Sequence, residues 1–216
     1  MTVAPLSMTT APAVGPSQPR RLLIMGPQGS GKGTQAARLA ERLGVPTVST
    51  GDIFRANISG GTPLGKQAQR YTDHGELVPD EITDAMVRDR LAKPDMAGGF
   101  ILDGYPRNAA QVETLDAILA ELEVELDAVI ELAAERSELI KRIGGRAAAE
   151  GRADDTPAAI SRRLDIYDAH TQPLLAGYGD RGLLARVDGT GALAEITDRI
   201  VKELARVRSA AERAAR

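Results

Sequence analysis

With 216 residues, of which 43% are hydrophobic, the chain is long enough to bury one α/β core with small excursions. Thirty acidic residues against 27 basic ones give a net charge of −3, which argues against a general nucleic-acid or membrane-surface binder. The lack of cysteine excludes disulfides and thiolate metal sites and is compatible with a reducing cytoplasm; His74 and His170, far apart in sequence, do not suggest a histidine metal centre.

No apolar run approaches the roughly 20 residues that cross a bilayer. Residues 1–20 are rich in Pro, Ala, Ser and Thr and carry no positive charge before Arg20. They lack the early basic region and long apolar core of a signal peptide, so a disordered N-terminal extension is expected, with Met8 as an alternative start. Residues 22–25 (LLIM) then read as a short buried strand. The turn after it carries Gly26, Gly29, Gly31 and Gly33, and a helix is expected from near Lys32 through Gln35 and Leu39. Strand, glycine loop and helix start form a phosphate cradle, in which backbone N–H groups and the helix dipole favour anions and Lys32 adds a cation. The pattern G-x-x-x-x-G-K-[ST] is matched from Gly26 to Lys32, but Gly33 stands where Ser or Thr would hold a metal, with Thr34 one place later.

Further strands are expected at 46–50, 99–103, 128–132 and 184–187. Helices are expected at 33–43, 63–73, 80–92, 108–121, 135–145, 157–176 and 192–208. This alternation predicts an α/β P-loop fold: a five-stranded parallel sheet between two helical layers, with ligands outside the strands' carboxyl ends. Residues 49–79 form a mostly helical insertion, and 145–155 a short glycine- and arginine-bearing lid; both are candidate moving parts on a single domain spanning 21–208. An Ala- and Arg-rich tail, 209–216, is expected to fray.

Polar clusters follow the second and third strands. Ser49, Thr50, Gly51 and Asp52 precede Arg55; alone, such a cluster reads as a helix N-cap. Asp103 ends a buried strand beside the glycine loop, where a carboxylate can position Mg²⁺ or its waters. Arg107 and Gln111 are one helical turn apart, offering a guanidinium fork for phosphate and an amide that can donate and accept along an adenine edge. Arg142 and Arg146 share a helical face, and Arg152 and Arg163 follow across the glycine-rich segment. Any one of these arginines could serve a solvated salt bridge. Four around a lid in an acidic P-loop chain point instead to phosphoryl transfer, which needs several cations around the phosphates.

GPQGSGKGTQ, STGDIFR, GELVPDE, ILDGYPRNAAQ, RIGGR, GRADD and RRLDIY, in this order and spacing, resemble the adenylate kinases of the nucleoside monophosphate kinase family, from about Arg21 to Leu204. Gly33-Thr34 is the form this family uses. The resemblance implies reversible transfer from Mg·ATP to AMP, giving two ADP. It implies that Gly29, Ser30, Gly31, Lys32, Gly33 and Thr34 cradle ATP, that Arg142 and Arg146 meet it, and that the backbone of Gly191 approaches its base. Thr50, Arg55, the backbone of Glu76, Leu77 and Val78, then Gly104, Tyr105, Pro106, Arg107 and Gln111 would form the AMP pocket. Lys32, Arg107, Arg152 and Arg163 would act on the transferring phosphoryl group, Arg152 and Arg163 reaching the AMP side as well. Asp103 would hold hydrated Mg²⁺.

Thr50 and Gln111 favour adenine over the UMP/CMP kinases, which resemble this chain elsewhere and are the alternative; Asn108 alone leans toward them. The span 145–155 is too short for the inserted hairpin of long-lid relatives, and with no cysteine it holds no structural zinc. Likeness implies a cytoplasmic monomer acting on ATP, AMP and ADP, without nucleic acid or membrane partners. A P-loop kinase with a non-nucleotide acceptor would leave Thr50, Arg55, Arg107 and Gln111 without a role, and a non-catalytic nucleotide binder would not need the full arginine set. A GTPase switch would carry N-K-x-D, which is absent.

Overall fold

The computed structural model describes residues 20–150 and 156–214. Five strands are present: β1 (Arg21–Met25), β2 (Thr47–Ser49), β3 (Phe100–Asp103), β4 (Ala128–Ala133) and β5 (Leu184–Asp188). They form one all-parallel sheet in the order β2-β3-β1-β4-β5, so the strand that feeds the glycine loop lies at its centre. A central strand covered on both faces can be apolar at every position, which is why LLIM is a continuous run rather than an alternation. Its side chains nevertheless divide by the two-residue period: Leu22 and Ile24 join one core, Leu23 and Met25 the other.

The described helices are α1 (Lys32–Leu43), α2 (Thr50–Ser59), α3 (Pro63–Thr72), α4 (Asp80–Leu91), α5 (Ala109–Glu121), α6 (Arg136–Glu150), α7 (Pro157–Ile166), α8 (Leu174–Asp180) and α9 (Leu193–Ala214). α1 and α9 pack on the first core through Leu39, Leu43, Ile200 and Leu204, while α4, α5 and α8 cover the other through Val87, Leu115 and Leu175. The expected insertion consists of α2 and α3, joined at Gly60 and Gly61, and has a small apolar cluster of its own built on Phe54, Ala68 and Val78. Register aligns Ile24 and Ser49 each with Asp103, and Met25 with Glu131, so the carboxyl ends of β1, β2 and β3 meet beside the glycine loop. Among the described residues no helix is long and apolar enough to cross a membrane.

Four boundaries differ from expectation. The helix expected over 157–176 is α7, one π turn (Tyr167–Thr171) and α8. Pro173 has no N–H to continue the ladder, and the widened turn lets the Thr171 hydroxyl donate to the Arg107 carbonyl at 2.8 Å. α6 continues through Gly144 and Gly145 to Glu150, since an isolated glycine pair lowers helix stability without forbidding helix. The last helix runs to Ala214, beyond the expected start of fraying, with Val207 buried against the first core. Thr50, expected to end the second strand, instead begins α2, because the Ser49 hydroxyl caps that helix by accepting from the Asp52 N–H. The expected disordered extension, apart from Arg20, and lid residues 151–155 lie outside the described residues.

Candidate active site

The glycine loop is held by backbone geometry. Gly26 has φ +146°, and a Cβ there would stand 2.5 Å from the Leu132 carbonyl oxygen, so close passage of the loop over β4 requires glycine. The Ser30 N–H donates to the Pro27 carbonyl at 3.2 Å and the Lys32 ammonium donates to the same oxygen at 2.9 Å. Gly31, at φ +94°, begins α1 with no side-chain cap. The first-turn N–H groups, which have no partner within a helix, are thereby left for an anionic ligand.

Asp103 sits beside this loop: its Oδ2 is 3.7 Å from where a Cβ on Gly33 would lie. Burial pushes its carboxyl above the usual carboxylate range, while the charges of Lys32 and Arg107 act in the opposite direction. Among the described residues no three His, Cys, Asp or Glu side chains gather where they could hold a metal. A carboxylate next to the glycine loop fits Mg²⁺, which keeps most of its waters and takes phosphate oxygens rather than an all-protein cage.

The second wall is organised on one carbonyl. Gly104 O accepts from the Thr50 hydroxyl at 3.0 Å and from Arg107 Nε at 2.7 Å. Gly104 itself has φ +82°, and a Cβ there would lie 2.7 Å from Thr50 Oγ1. The Arg107 guanidinium is pushed below its ordinary value, first by burial and then by Arg163 and Arg55, with Asp103 opposing. Arg55 and Arg163 thus lie close enough to Arg107 for their charges to be felt, and several cations near one point favour a polyanionic ligand. Arg55 pairs with Asp52. Gln111 is buried at 2% exposure. Its Oε1 accepts from the Arg107 N–H at 2.8 Å, and its Nε2 donates to Asp80 at 2.7 Å.

The third wall comes from α6, α7 and the turn after β5. Arg142 Nε donates to Glu138 at 2.8 Å and its Nη1 to the Gly189 carbonyl at 2.9 Å. Arg163 donates to the Thr72 carbonyl at 2.8 Å, reaching across from α7 to the end of α3.

These walls enclose a cleft of about 1290 Å³ lined by residues 28–35, Arg55, Asp103, Gly104, Arg107, Arg142, Arg163 and Gly191. Of the residues anticipated from sequence, Thr50, Glu76, Leu77, Val78, Tyr105, Pro106 and Gln111 are not on its surface. Thr50 and Gln111 lie directly behind it, bonded to Gly104 and Arg107. Tyr105 is buried, with its hydroxyl donating to Asp84 at 2.7 Å, and Val78 belongs to the small cluster of the insertion. Glu76 forms an ion pair with Arg162 at 2.8 Å. The side chain of Arg146, and all of Arg152, lie outside the described residues.

Several wall residues were not anticipated as site residues: Asp52, Phe54, Ile58, Gln69, Thr72 and Asp73. Asp52 and Phe54 lie within STGDIFR, whereas Ile58, Gln69, Thr72 and Asp73 belong to none of the quoted motifs. Asp80 was also missed, although a Pro-Asp-Glu helix start is a readable signal. Asn108, which leaned toward the pyrimidine relatives, has a structural task. Its Oδ1 accepts from the Gln111 N–H as the cap of α5, and its Nδ2 donates to Asp80.

Comparison with known proteins adds an independent observation. Residues 24–183 match the family model described as adenylate kinase. A protein of Bifidobacterium longum named adenylate kinase is 59% identical over 184 residues, covering 85% of this chain and 99% of that protein. One from Kocuria rhizophila with the same name is 58% identical over 186 residues, covering 86% of this chain and 99% of its own length. Another, from Thermobifida fusca, is 55% identical over 184 residues, covering 85% and 97%.

Proposed function

The chain belongs to the adenylate kinase family and is a phosphotransferase; from that premise we propose that it transfers the γ-phosphoryl group of Mg·ATP reversibly to AMP, yielding two ADP. The observation that carries this is the convergence of Lys32, Arg107, Arg142 and Arg163, from separate elements, on one cleft floored by the phosphate-binding loop. Phosphoryl transfer asks a protein mainly for positioning and charge stabilisation, and this is what such a cleft supplies.

The uncapped start of α1 and the loop N–H groups hold the donor phosphates, and Lys32 leaves the Pro27 carbonyl to meet the transferring group. Arg107, Arg152 and Arg163 neutralise the equatorial oxygens as charge spreads over them. An oxygen of the AMP phosphate attacks the γ-phosphorus, the bond to the β–γ bridging oxygen breaks, and the electron pair stays on the departing ADP. No protein nucleophile is needed. Asp103 is suited to hold waters of Mg²⁺, which supplies further neutralisation of phosphate charge when bound with ATP. Arg142 and Arg146 contact ATP, and Gly191 approaches its base. Closure of the α6–α7 segment over the cleft would exclude water and suppress hydrolysis.

Adenine as the acceptor base is supported by Thr50 and Gln111. An amide has two N–H donors and two acceptor lone pairs. With one of each used by Asp80 and the Arg107 N–H, one donor and one acceptor remain for a base. Asn108, which leans toward UMP or CMP, also caps α5, a role that does not depend on the acceptor base. The same reading takes the protein as a cytoplasmic monomer without zinc. A coupled ADP-formation assay with Mg·ATP and AMP, GMP, CMP, UMP or no acceptor tests it. Turnover with AMP alone is expected; preference for CMP or UMP would overturn the base choice, and acceptor-independent ATP loss would overturn the transferase mechanism.

A further inference from the structure

We propose that Asp80 is a specificity-determining positioning residue: it fixes the orientation of the Gln111 amide and thereby selects a 6-amino over a 6-oxo purine in the acceptor site. This rests on the acceptor-base role given above to Gln111.

The buried amide of Gln111 lies between two partners of opposite kind. The Asp80 carboxylate oxygen accepts the Nε2–H at 2.7 Å. The Arg107 backbone N–H can only donate, and gives to Oε1 at 2.8 Å. Rotating the amide by half a turn would set oxygen against carboxylate and NH₂ against N–H, losing both bonds and creating two repulsive contacts. Asp80 is itself held in place: the Asn108 amide donates to its two oxygens at 3.1 and 3.0 Å. Asn108 is fixed in turn as the cap of α5, where its Oδ1 takes the Gln111 N–H at 2.9 Å. Side chain and backbone of Gln111 thus belong to one closed network with Asp80 at its acceptor end.

The consequence is chemical. A fixed amide presents its remaining N–H and its remaining lone pair in one spatial order. Adenine offers an acceptor at N1 beside a donor at its 6-amino group. Hypoxanthine and guanine offer the reverse, a donor at N1 beside an acceptor at O6. An amide free to rotate can pair with either edge; a locked one pairs with only one. A polar site built in this way rejects the wrong edge because its own groups are left unpaired.

The test compares Asp80→Ala with Asp80→Asn in the full chain. Both lose the charge at the start of α4, so their effects on stability through the helix dipole are matched. Only Asn keeps an oxygen that can accept from Gln111. The readout is the ratio of kcat/KM for AMP to that for IMP, with KM for ATP alongside. In Asp80→Ala the ratio is expected to fall about tenfold, the scale of one hydrogen bond to a charged group. Asp80→Asn is expected to keep the ratio within about threefold of the parent, with KM for ATP unmoved in both. Equal losses with AMP and IMP, an unchanged ratio in Asp80→Ala, or a ratio equally lowered in both variants would overturn the proposal. If the parent protein gave no AMP-dependent ADP, the acceptor-base assignment beneath it would fail, and that result is distinguishable because it appears before any substitution.

Discussion

The two sides of the cleft are held by different balances of backbone and side-chain contact. The phosphate loop is pinned by backbone: Gly26 against the Leu132 carbonyl, Gly29 against the Leu139 carbonyl, and Pro27 O receiving both Ser30 and Lys32. The opposite side, where α7 meets the end of α3, has one such approach, Gly75 against the Ala159 carbonyl, and otherwise rests on side chains. Arg163 reaches the Thr72 carbonyl, and Arg162 pairs with Glu76 while more than half of its side chain remains exposed. Close backbone contacts are lost only by moving the element they rest on, β4 for Gly26 and α6 for Gly29. Exposed ion pairs contribute little and exchange readily with water. The first side is suited to hold a phosphate chain in a constant place and the second to part and re-form around a nucleotide.

Substitutions on the two sides separate these properties. The largest expected effect is on turnover. Lys32→Ala should lower kcat about 10²- to 10³-fold while the melting temperature shifts by no more than about 4 °C. Near-normal turnover would remove Lys32 from the transferring group. Gly26→Ala comes next and acts on stability: a Cβ at φ +146° driven toward Leu132 O should cost about 3 kcal/mol, measured by urea denaturation. A tolerated alanine would show that the loop is not pinned by backbone.

Gln111→Asn tests the acceptor wall, where shortening the amide should lower the AMP-to-CMP ratio of kcat/KM about tenfold with a smaller loss of phosphate affinity. Equal losses with AMP, CMP and UMP would contradict a base-reading role. The smallest effect belongs to Glu76→Gln, expected to change stability by less than about 1 kcal/mol, with a double-mutant cycle against Arg162→Ala giving the coupling. A coupling well above that would mean that the two walls are locked together rather than loosely held.

Asp103 adds a dependence on pH. Its folded value is raised by burial, so its contribution to the stability of the ligand-free protein is fully present below the unfolded carboxylate value and lost as pH rises through the folded one. Asp103→Asn should therefore stabilise the ligand-free protein at neutral pH, measured by thermal melts across pH, while lowering Mg-dependent activity. Destabilisation at neutral pH would show that the carboxylate serves chiefly as a counter-ion to Lys32 and Arg107.

Much of the fold was legible because its signals are local. LLIM followed by glycines and Lys32 specifies strand, turn and helix within a dozen residues, and the later apolar runs repeat the pattern. The misread boundaries are places where a distant contact overrides local preference. Thr171 bonds the Arg107 carbonyl from within a π turn, and α9, anchored through Val207 near the end of the expected helix, continues into the Ala- and Arg-rich tail as far as Ala214. Asp80 has a local signal in GELVPDE, but nothing in its neighbours points to Gln111, 31 positions away.

The sequence by itself determined the phosphate loop, the alternation of strands and helices, and the cations available to a phosphate site. These follow from backbone sterics, hydrophobic periodicity and residue chemistry, each expressed over a few neighbouring positions. The tertiary structure decided which of those groups face the cleft and which stand behind it. Thr50 and Arg107 meet on the Gly104 carbonyl because β2 and β3 are adjacent in the sheet, a pairing across 54 residues that no local pattern encodes. Partner choice of this kind depends on strand order and register, and these are fixed only when the whole core is buried at once.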